Sequence, residues 1–249
     1  MDNNFSWENT KEKYDIDTSK KKLPEFYDFY DVAQDFINIY EPAEDTFLLI
    51  DSMELELKNM QNFFNDIKNK NKELNTIEIG CGNGLISCCF LSEIKKYDIK
   101  INHYCVDINK DAINLTHKLL EKYNFDKNTK FIEGDLFNEI DKNILFDIII
   151  FNPPYVTTDD EEYKKALNEK NIYAAWAGGK KGSETINNFV EQLKNRISEN
   201  CVIFLLLSKE NDYNFIINNI INNNNMKYDL LMKKRFKNEK LAVFKFYNN

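Results

Sequence analysis

Residues 144–151 read Ile-Leu-Phe-Asp-Ile-Ile-Ile-Phe, and Asn152-Pro153-Pro154-Tyr155 follows at once. A short run rich in β-branched and aromatic residues reads as a buried central strand. Two prolines cannot extend a ladder, so the strand must stop at Asn152. The chain is thereby constrained to deliver a polar amide to the carboxyl end of a buried strand, where open α/β sheets bind their ligands. Asn152 offers a carbonyl acceptor and an amide donor. Pro153 and Pro154 offer carbonyls and no N–H, and Tyr155 offers a flat face with a polar tip. Such a set can hold a planar NH2 group by accepting its hydrogen bonds and packing on its face. It contains no strong base and no nucleophile. The competing reading is a proline turn that merely caps the strand, and a second motif upstream weighs against it.

That motif is Gly80-Cys81-Gly82-Asn83-Gly84, between a short strand, Thr76-Ile77-Glu78-Ile79, and a helix running from Leu85 to Ile94. Strand, glycine loop and helix in that order form the context in which glycines let the backbone approach a ligand closely. The next strand, 101–106, ends at Asp107, 23 positions after Gly84. An acidic residue there is placed to accept the hydroxyls of a ribose; the alternative is a cap on the following helix, 110–123. A third strand, 129–133, closes with Gly134-Asp135-Leu136. Asp135 could accept from an adenine amine with Leu136 beside the ring, or the pair could be a plain turn.

The rest of the chain alternates helices and strands, which implies a mainly parallel sheet. A helix opens at Tyr40-Glu41-Pro42-Ala43-Glu44-Asp45-Thr46, with Pro42 at its first position and Glu44 and Asp45 complementing the dipole. Lys58 to Lys72 reads as a polar connector. Val156 to Tyr173 is a long charged segment, a lid, a partner surface or a solvated loop. A helix to Ser198, a strand 201–207, a helix around 215–221 and strands 226–234 and 240–247 follow, the last two as a terminal hairpin. Residues 1–38 read as a mobile extension, with the basic run Lys20-Lys21-Lys22, scattered Phe5, Trp7, Tyr14, Ile16 and Leu23, and an aromatic end at 26–30 that pins onto the domain.

Composition narrows the partners. Asp plus Glu number 41 against 33 Lys plus Arg, for a net charge of -8. This disfavours a broad nucleic-acid footprint, although it leaves room for a local basic groove. The five cysteines, Cys81, Cys88, Cys89, Cys105 and Cys201, include no C-x-x-C and mostly sit in apolar runs. They read as buried free thiols of a cytoplasmic protein. With only His103 and His117 as histidines, no Cys/His metal site is expected. No signal peptide is read at Met1-Asp2-Asn3-Asn4, and no apolar stretch reaches membrane-span length.

Taken together, these motifs resemble the class I S-adenosylmethionine-dependent methyltransferases. Glu78 to Gly84 looks like their cofactor loop, and Asn152-Pro153-Pro154-Tyr155 like the motif of their amino-methylating branches. Tyr40-Glu41-Pro42-Ala43-Glu44-Asp45-Thr46-Phe47 and Ala174-Ala175-Trp176-Ala177-Gly178-Gly179 resemble, more specifically, the short eukaryotic and archaeal form of the HemK-type release-factor glutamine methyltransferases. The likeness covers residues 39–247. It implies a single Rossmann-like α/β domain over 39–249, a mainly parallel sheet and a C-terminal antiparallel hairpin. It implies that Thr46, Glu78, Gly80, Gly82, Asp107, Asp135, Leu136 and Asn152 line a pocket for S-adenosylmethionine. Asn152, Pro153, Pro154 and Tyr155 would hold the amide of a glutamine in a release factor's Gly-Gly-Gln loop. It implies a small zinc-binding activator as the second subunit of a heterodimer. Two departures stand out: the extension before Tyr40 is longer than the short form needs, and Tyr173 stands where relatives often carry an acidic residue. Methylation of adenine N6 in DNA or RNA is the alternative chemistry, and a non-catalytic scaffold the alternative role.

Overall fold

Both faces of the apolar run are buried, and this sets the layers. The computed structural model describes residues 5–15, 23–237 and 239–248. Lys20-Lys21-Lys22, Ile16 and Met1-Asp2-Asn3-Asn4 lie outside the described residues. The helices are α1 (Val32–Asp35), α2 (Glu44–Asn59), α3 (Gln61–Asn69), α4 (Leu85–Lys95), α5 (Lys110–Lys122), α6 (Asp160–Glu169), α7 (Glu184–Leu193) and α8 (Tyr213–Asn224). The strands are β1 (Leu74–Ile79), β2 (Ile101–Asp107), β3 (Thr129–Glu133), β4 (Phe146–Phe151), β5 (Ile197–Ser208), β6 (Met226–Phe236) and β7 (Glu239–Asn248). Along β4, Ile148 and Ile150 join the core containing α2, α4 and α5, while Ile149 and Phe151 join the core containing α7 and α8. A strand covered on both faces has no reason to alternate with polar residues, which accounts for its continuous apolar sequence. The exception, Asp147, is buried but accepts from Lys72 Nζ at 2.6 Å, the Asn75 amide at 3.0 Å and Ser198 Oγ at 2.8 Å.

The strands form one sheet in the order β3-β2-β1-β4-β5-β7-β6. The first five are parallel, and β7 runs antiparallel between β5 and β6. The chain crosses over between β1 and β4, the topological switch point where such sheets open a ligand crevice. Register there pairs Ile79 with Phe151, so the glycine loop and Asn152 leave the sheet side by side.

Several boundaries differ from the sequence reading. The expected connector 58–72 contains α3, because Met60, Phe64 and Ile67 fall on one helical face and are buried. Helix α2 begins at Glu44 with Ala43 as its N-cap, which leaves Pro42 outside. The charged segment 156–173 carries α6, capped by Asp159, whose carboxylate accepts from the Glu162 amide at 2.8 Å.

The described residues before Tyr40 contact the domain. Phe5 is buried edge-on against Tyr213 and Phe244, and Phe26 is buried against Tyr123. The amides of Lys13 and Tyr14 donate to the carbonyls of Leu230 and Leu231 on edge strand β6, each at 2.9 Å. Glu56, near the end of α2 and 2% exposed, gathers Lys13 Nζ at 2.8 Å, Tyr14 Oη at 2.6 Å and Lys245 Nζ at 2.6 Å. Burial pushes its pKa up, but hydrogen bonds from Lys13, Lys245 and Tyr14 outweigh that and leave it below its ordinary value. Its stabilising contribution is therefore present above the ordinary carboxylate range and lost as pH falls through the lowered pKa. Glu56→Gln is expected to cost about 3 kcal/mol, the low end for breaking a buried ion pair, because Asp229 stays 3.4 Å from Lys245. Denaturant unfolding at neutral pH and near pH 4 checks this; the gap between variant and wild type must narrow on acidification.

Candidate active site

At the head of β1 the backbone turns sharply through Gly80, Gly82 and Gly84, all with positive φ. Gly84 both starts α4 and abuts α5: a Cβ there would lie 2.9 Å from the Thr116 Cα. The turn is fastened by the Cys81 amide donating to the Val106 carbonyl at 3.0 Å. The Gly82 amide donates to Asp107 Oδ2 at 2.9 Å, and the Asn109 amide to Oδ1 at 2.8 Å. Asp107 does not cap α5, since that position belongs to Asn109. The two carboxylate oxygens of Asp107 both accept from the backbone, and the carboxylate, with about four acceptor sites in all, keeps capacity for a further donor. Burial raises its pKa against the pull of the Asn109, Gly82 and Ile108 amides.

Thr46, Glu78, Gly80, Gly82, Asp107, Asp135, Leu136, Asn152, Pro153 and Pro154 all line one cleft of about 1000 Å³ of empty space, part of it open to solvent. Leu136 reaches its wall from a left-handed backbone, φ +51°. Glu78 is buried behind the loop and accepts from Ser87 Oγ, which also contacts His103 Nε2 at 2.8 Å. Its pKa is raised by burial. Four carboxylates, Asp45, Glu78, Asp107 and Asp135, line the cleft, with no Lys or Arg among the described lining residues. Such a wall favours a cationic ligand over one bearing phosphates.

Tyr155 is placed differently. It lines an adjoining hollow with Glu44, Val156, Trp176 and Glu239, and Tyr40, Asp45 and Ala175 line both spaces. The Tyr155 hydroxyl donates to Glu239 Oε2 at 3.3 Å. Burial, Asp45 and Glu239 raise its pKa, so the phenol keeps its proton. Asn152 lines the main cleft. Its Nδ2 donates to Asp45 Oδ2 at 2.9 Å. Its Oδ1 is buried and has no hydrogen-bond partner. A buried acceptor left unsatisfied is costly; of the four such asparagine oxygens among the described residues, this is the one whose residue lines the cleft, where a donating ligand could satisfy it.

A family model described as "Methyltransferase small domain" matches residues 59–237. The chain is 32% identical to the eRF1 methyltransferase catalytic subunit mtq2 of Schizosaccharomyces pombe, covering 92% of this chain and 94% of that one. This chain belongs to the HemK-type release-factor glutamine methyltransferases. It is also 30% identical to human Methyltransferase HEMK2, covering 85% of this chain and 90% of the relative. The solved E. cuniculi Mtq2-Trm112 complex contains a chain that matches with a TM-score of 0.52 and 21% identity, over 85% of this chain and 99% of that one. That likeness supports the Rossmann-like methyltransferase fold.

The residue that follows Asn152-Pro153-Pro154-Tyr155 is fastened to the 174–179 motif. The Val156 amide donates to the Trp176 carbonyl at 3.0 Å, and the Gly178 amide to the Val156 carbonyl at 2.8 Å. Buried Asn211, after β5, adds a link that sequence reasoning missed. Its Nδ2 donates to the carbonyls of Tyr155 at 2.9 Å and Gly182 at 2.8 Å. In the sequence Asp45 shows only a helix-dipole role, and its adjacency to Thr46 is the one signal of a place in the cleft. Leu167, Asn171 and Ile172 bring the charged segment 156–173 into the cleft wall. Gly182 sits at φ +63°, where a Cβ would lie 2.0 Å from the Tyr155 carbonyl oxygen. Gly182→Ala is expected to lose at least about 1–3 kcal/mol of stability, the cost of a strained left-handed residue, with the clash added. An unchanged denaturation midpoint would refute this packing.

Proposed function

We propose that this chain is the catalytic subunit of an enzyme that methylates the side-chain nitrogen of the glutamine in a release factor's Gly-Gly-Gln loop, using S-adenosylmethionine. The observation that carries the reading is the buried, unpartnered Asn152 Oδ1 at the end of an anionic cleft. The cofactor suits the residues present. Asp107 retains acceptor capacity for ribose hydroxyls, Asp135 and Leu136 suit an adenine amine and ring, and Thr46, Glu78, Gly80 and Gly82 complete the wall. When bound, S-adenosylmethionine supplies an electrophilic methyl group on a positively charged sulfur.

An amide nitrogen is a poor nucleophile because its lone pair is delocalised. Asn152 Oδ1 and the Pro153 carbonyl accept its two N–H groups and hold it in line for attack. Proline at 153 and 154 stiffens that carbonyl's position. Tyr155, protonated, covers the approach with its ring. Positioning of this kind contributes up to about 7–11 kcal/mol, and fixed acceptors facing the developing positive charge add to it. The proton leaves after transfer, so no strong base is required.

Asn152→Ala should cut turnover by roughly 10²–10³, as for other oriented polar groups at a transition state, with a smaller loss of cofactor affinity. Methyl incorporation is measured with the release factor, with that factor lacking the glutamine, and with adenine-containing DNA. Incorporation into DNA alone would overturn the reading in favour of adenine N6. Glu44, Asp45 and Glu239 around the outer hollow already disfavour a polyanion.

A small zinc-binding activator is proposed to complete the enzyme by pairing with β3. β3 is one edge of the sheet and contacts only β2 by strand pairing among the described residues. The other edge, β6, already receives the Lys13 and Tyr14 amides. Unpaired edges invite a strand from another chain. Co-expression with the activator should raise soluble yield and activity; a fully active, monodisperse chain alone would count against it. Localisation is proposed to be cytoplasmic, supported by five buried, unbridged cysteines. Among the described residues no helix is long and apolar enough to cross a membrane.

A further inference from the structure

An asparagine side chain has two ends of nearly equal shape and opposite hydrogen-bonding sense. Asn152 can serve an NH2 substrate only if its oxygen faces the substrate; with its amide turned over, two donors would meet. Local sequence does not choose between the two orientations, since the flanking Pro153 has no N–H to hold the oxygen back.

The choice is made from another element. Asp45 lies in the first turn of α2, 5% exposed, and its Oδ2 receives Asn152 Nδ2 at 2.9 Å across 107 residues of sequence. Its second oxygen, Oδ1, is near the Thr46 hydroxyl at 3.4 Å and the Tyr40 hydroxyl at 3.5 Å. Burial raises the Asp45 pKa, and the hydrogen bond from Asn152 opposes that rise; as an ionised carboxylate Asp45 accepts and never donates. It therefore attracts Nδ2, and it would repel Oδ1 at the same distance. With Nδ2 held, Oδ1 points away from Asp45 and is the buried atom without a partner.

We propose that Asp45 is a positioning residue that sets the orientation of the Asn152 amide, so that an acceptor and not a donor faces the substrate nitrogen. This rests on the glutamine-amide reading above. Asp45 does not touch the reacting atoms; it acts through Asn152. Its place beside Thr46 means that one helix start both walls the cofactor cleft and polarises the substrate acceptor.

The test is a reciprocal exchange in the enzyme with its activator. Asp45→Asn keeps size but can donate or accept, so Asn152 is no longer held one way round. Turnover on the release factor is expected to fall by about 10–10², part of the effect of removing an oriented group. The calorimetric dissociation constant for S-adenosylmethionine should rise by less than turnover falls, because one cleft carboxylate is lost but cleft shape is retained; a collapsed site would lose both. Asn152→Asp alone sets two carboxylates against each other and should be at least as impaired. The double variant Asp45→Asn with Asn152→Asp restores one donor facing one acceptor and leaves a carboxylate oxygen for the substrate. Its turnover should exceed that of Asn152→Asp by at least about tenfold. Wild-type turnover in Asp45→Asn, or no gain in the double variant, would overturn the role of Asp45. If the single variant does not fold, the comparison of the double variant with Asn152→Asp still decides. A wild-type enzyme that leaves the release factor unmethylated would instead overturn the reading on which the proposal rests.

Discussion

The parallel pairing of β1 with β4 is the constraint on which the site depends. Ile79 stands opposite Phe151, so the two strands end level. Everything that leaves those ends, the glycine turn from β1 and the Asn-Pro-Pro-Tyr run from β4, must share one crevice. A slip of one residue would turn Ile149 and Phe151 away from the core they fill with α7. The register of the core and the register of the site are thus the same fact. The heavy burial of β4 is what makes Asn152 a fixed point.

Helix α2 ties the periphery to that point. Its first turn carries Asp45 and Thr46 into the cleft, and near its other end Glu56 binds Lys13, Tyr14 and Lys245. One helix therefore spans from the Asn152 end of β4 to the edge of the sheet. The N-terminal residues 5–15 dock on β6 and on Glu56. They occupy one sheet edge and leave β3 as the edge open to a partner among the described residues.

Burial works against charge in the cleft. Asp45, Glu78, Asp107 and Asp135 all have raised pKa values, each chiefly from loss of water. For Asp45 and Asp107 the opposing pull comes from donors supplied by the fold: the Asn152 amide for one, the Gly82 and Asn109 backbone for the other. A cationic ligand adds to that pull, so binding and ionisation support each other. The same negative wall makes a long polyanion an unfavourable visitor.

What the sequence by itself determined are features carried by neighbouring residues. The buried strand before Asn152, the glycine turn after β1, Asp107 at the end of β2 and the terminal hairpin follow from periodicity, glycine and proline chemistry within a few positions. Helix α3 and helix α6 are not legible locally for the same reason: a few apolar residues among many polar ones make a weak signal, and packing decides such cases. Tertiary structure alone decided that Tyr155 lies outside the main cleft, that Asn211 holds its carbonyl, and that Asp45 faces Asn152. Those contacts join residues 56 and 107 positions apart. No local pattern encodes such a meeting, because it exists only once the β1–β4 crossover has brought separate strand and helix ends to one place.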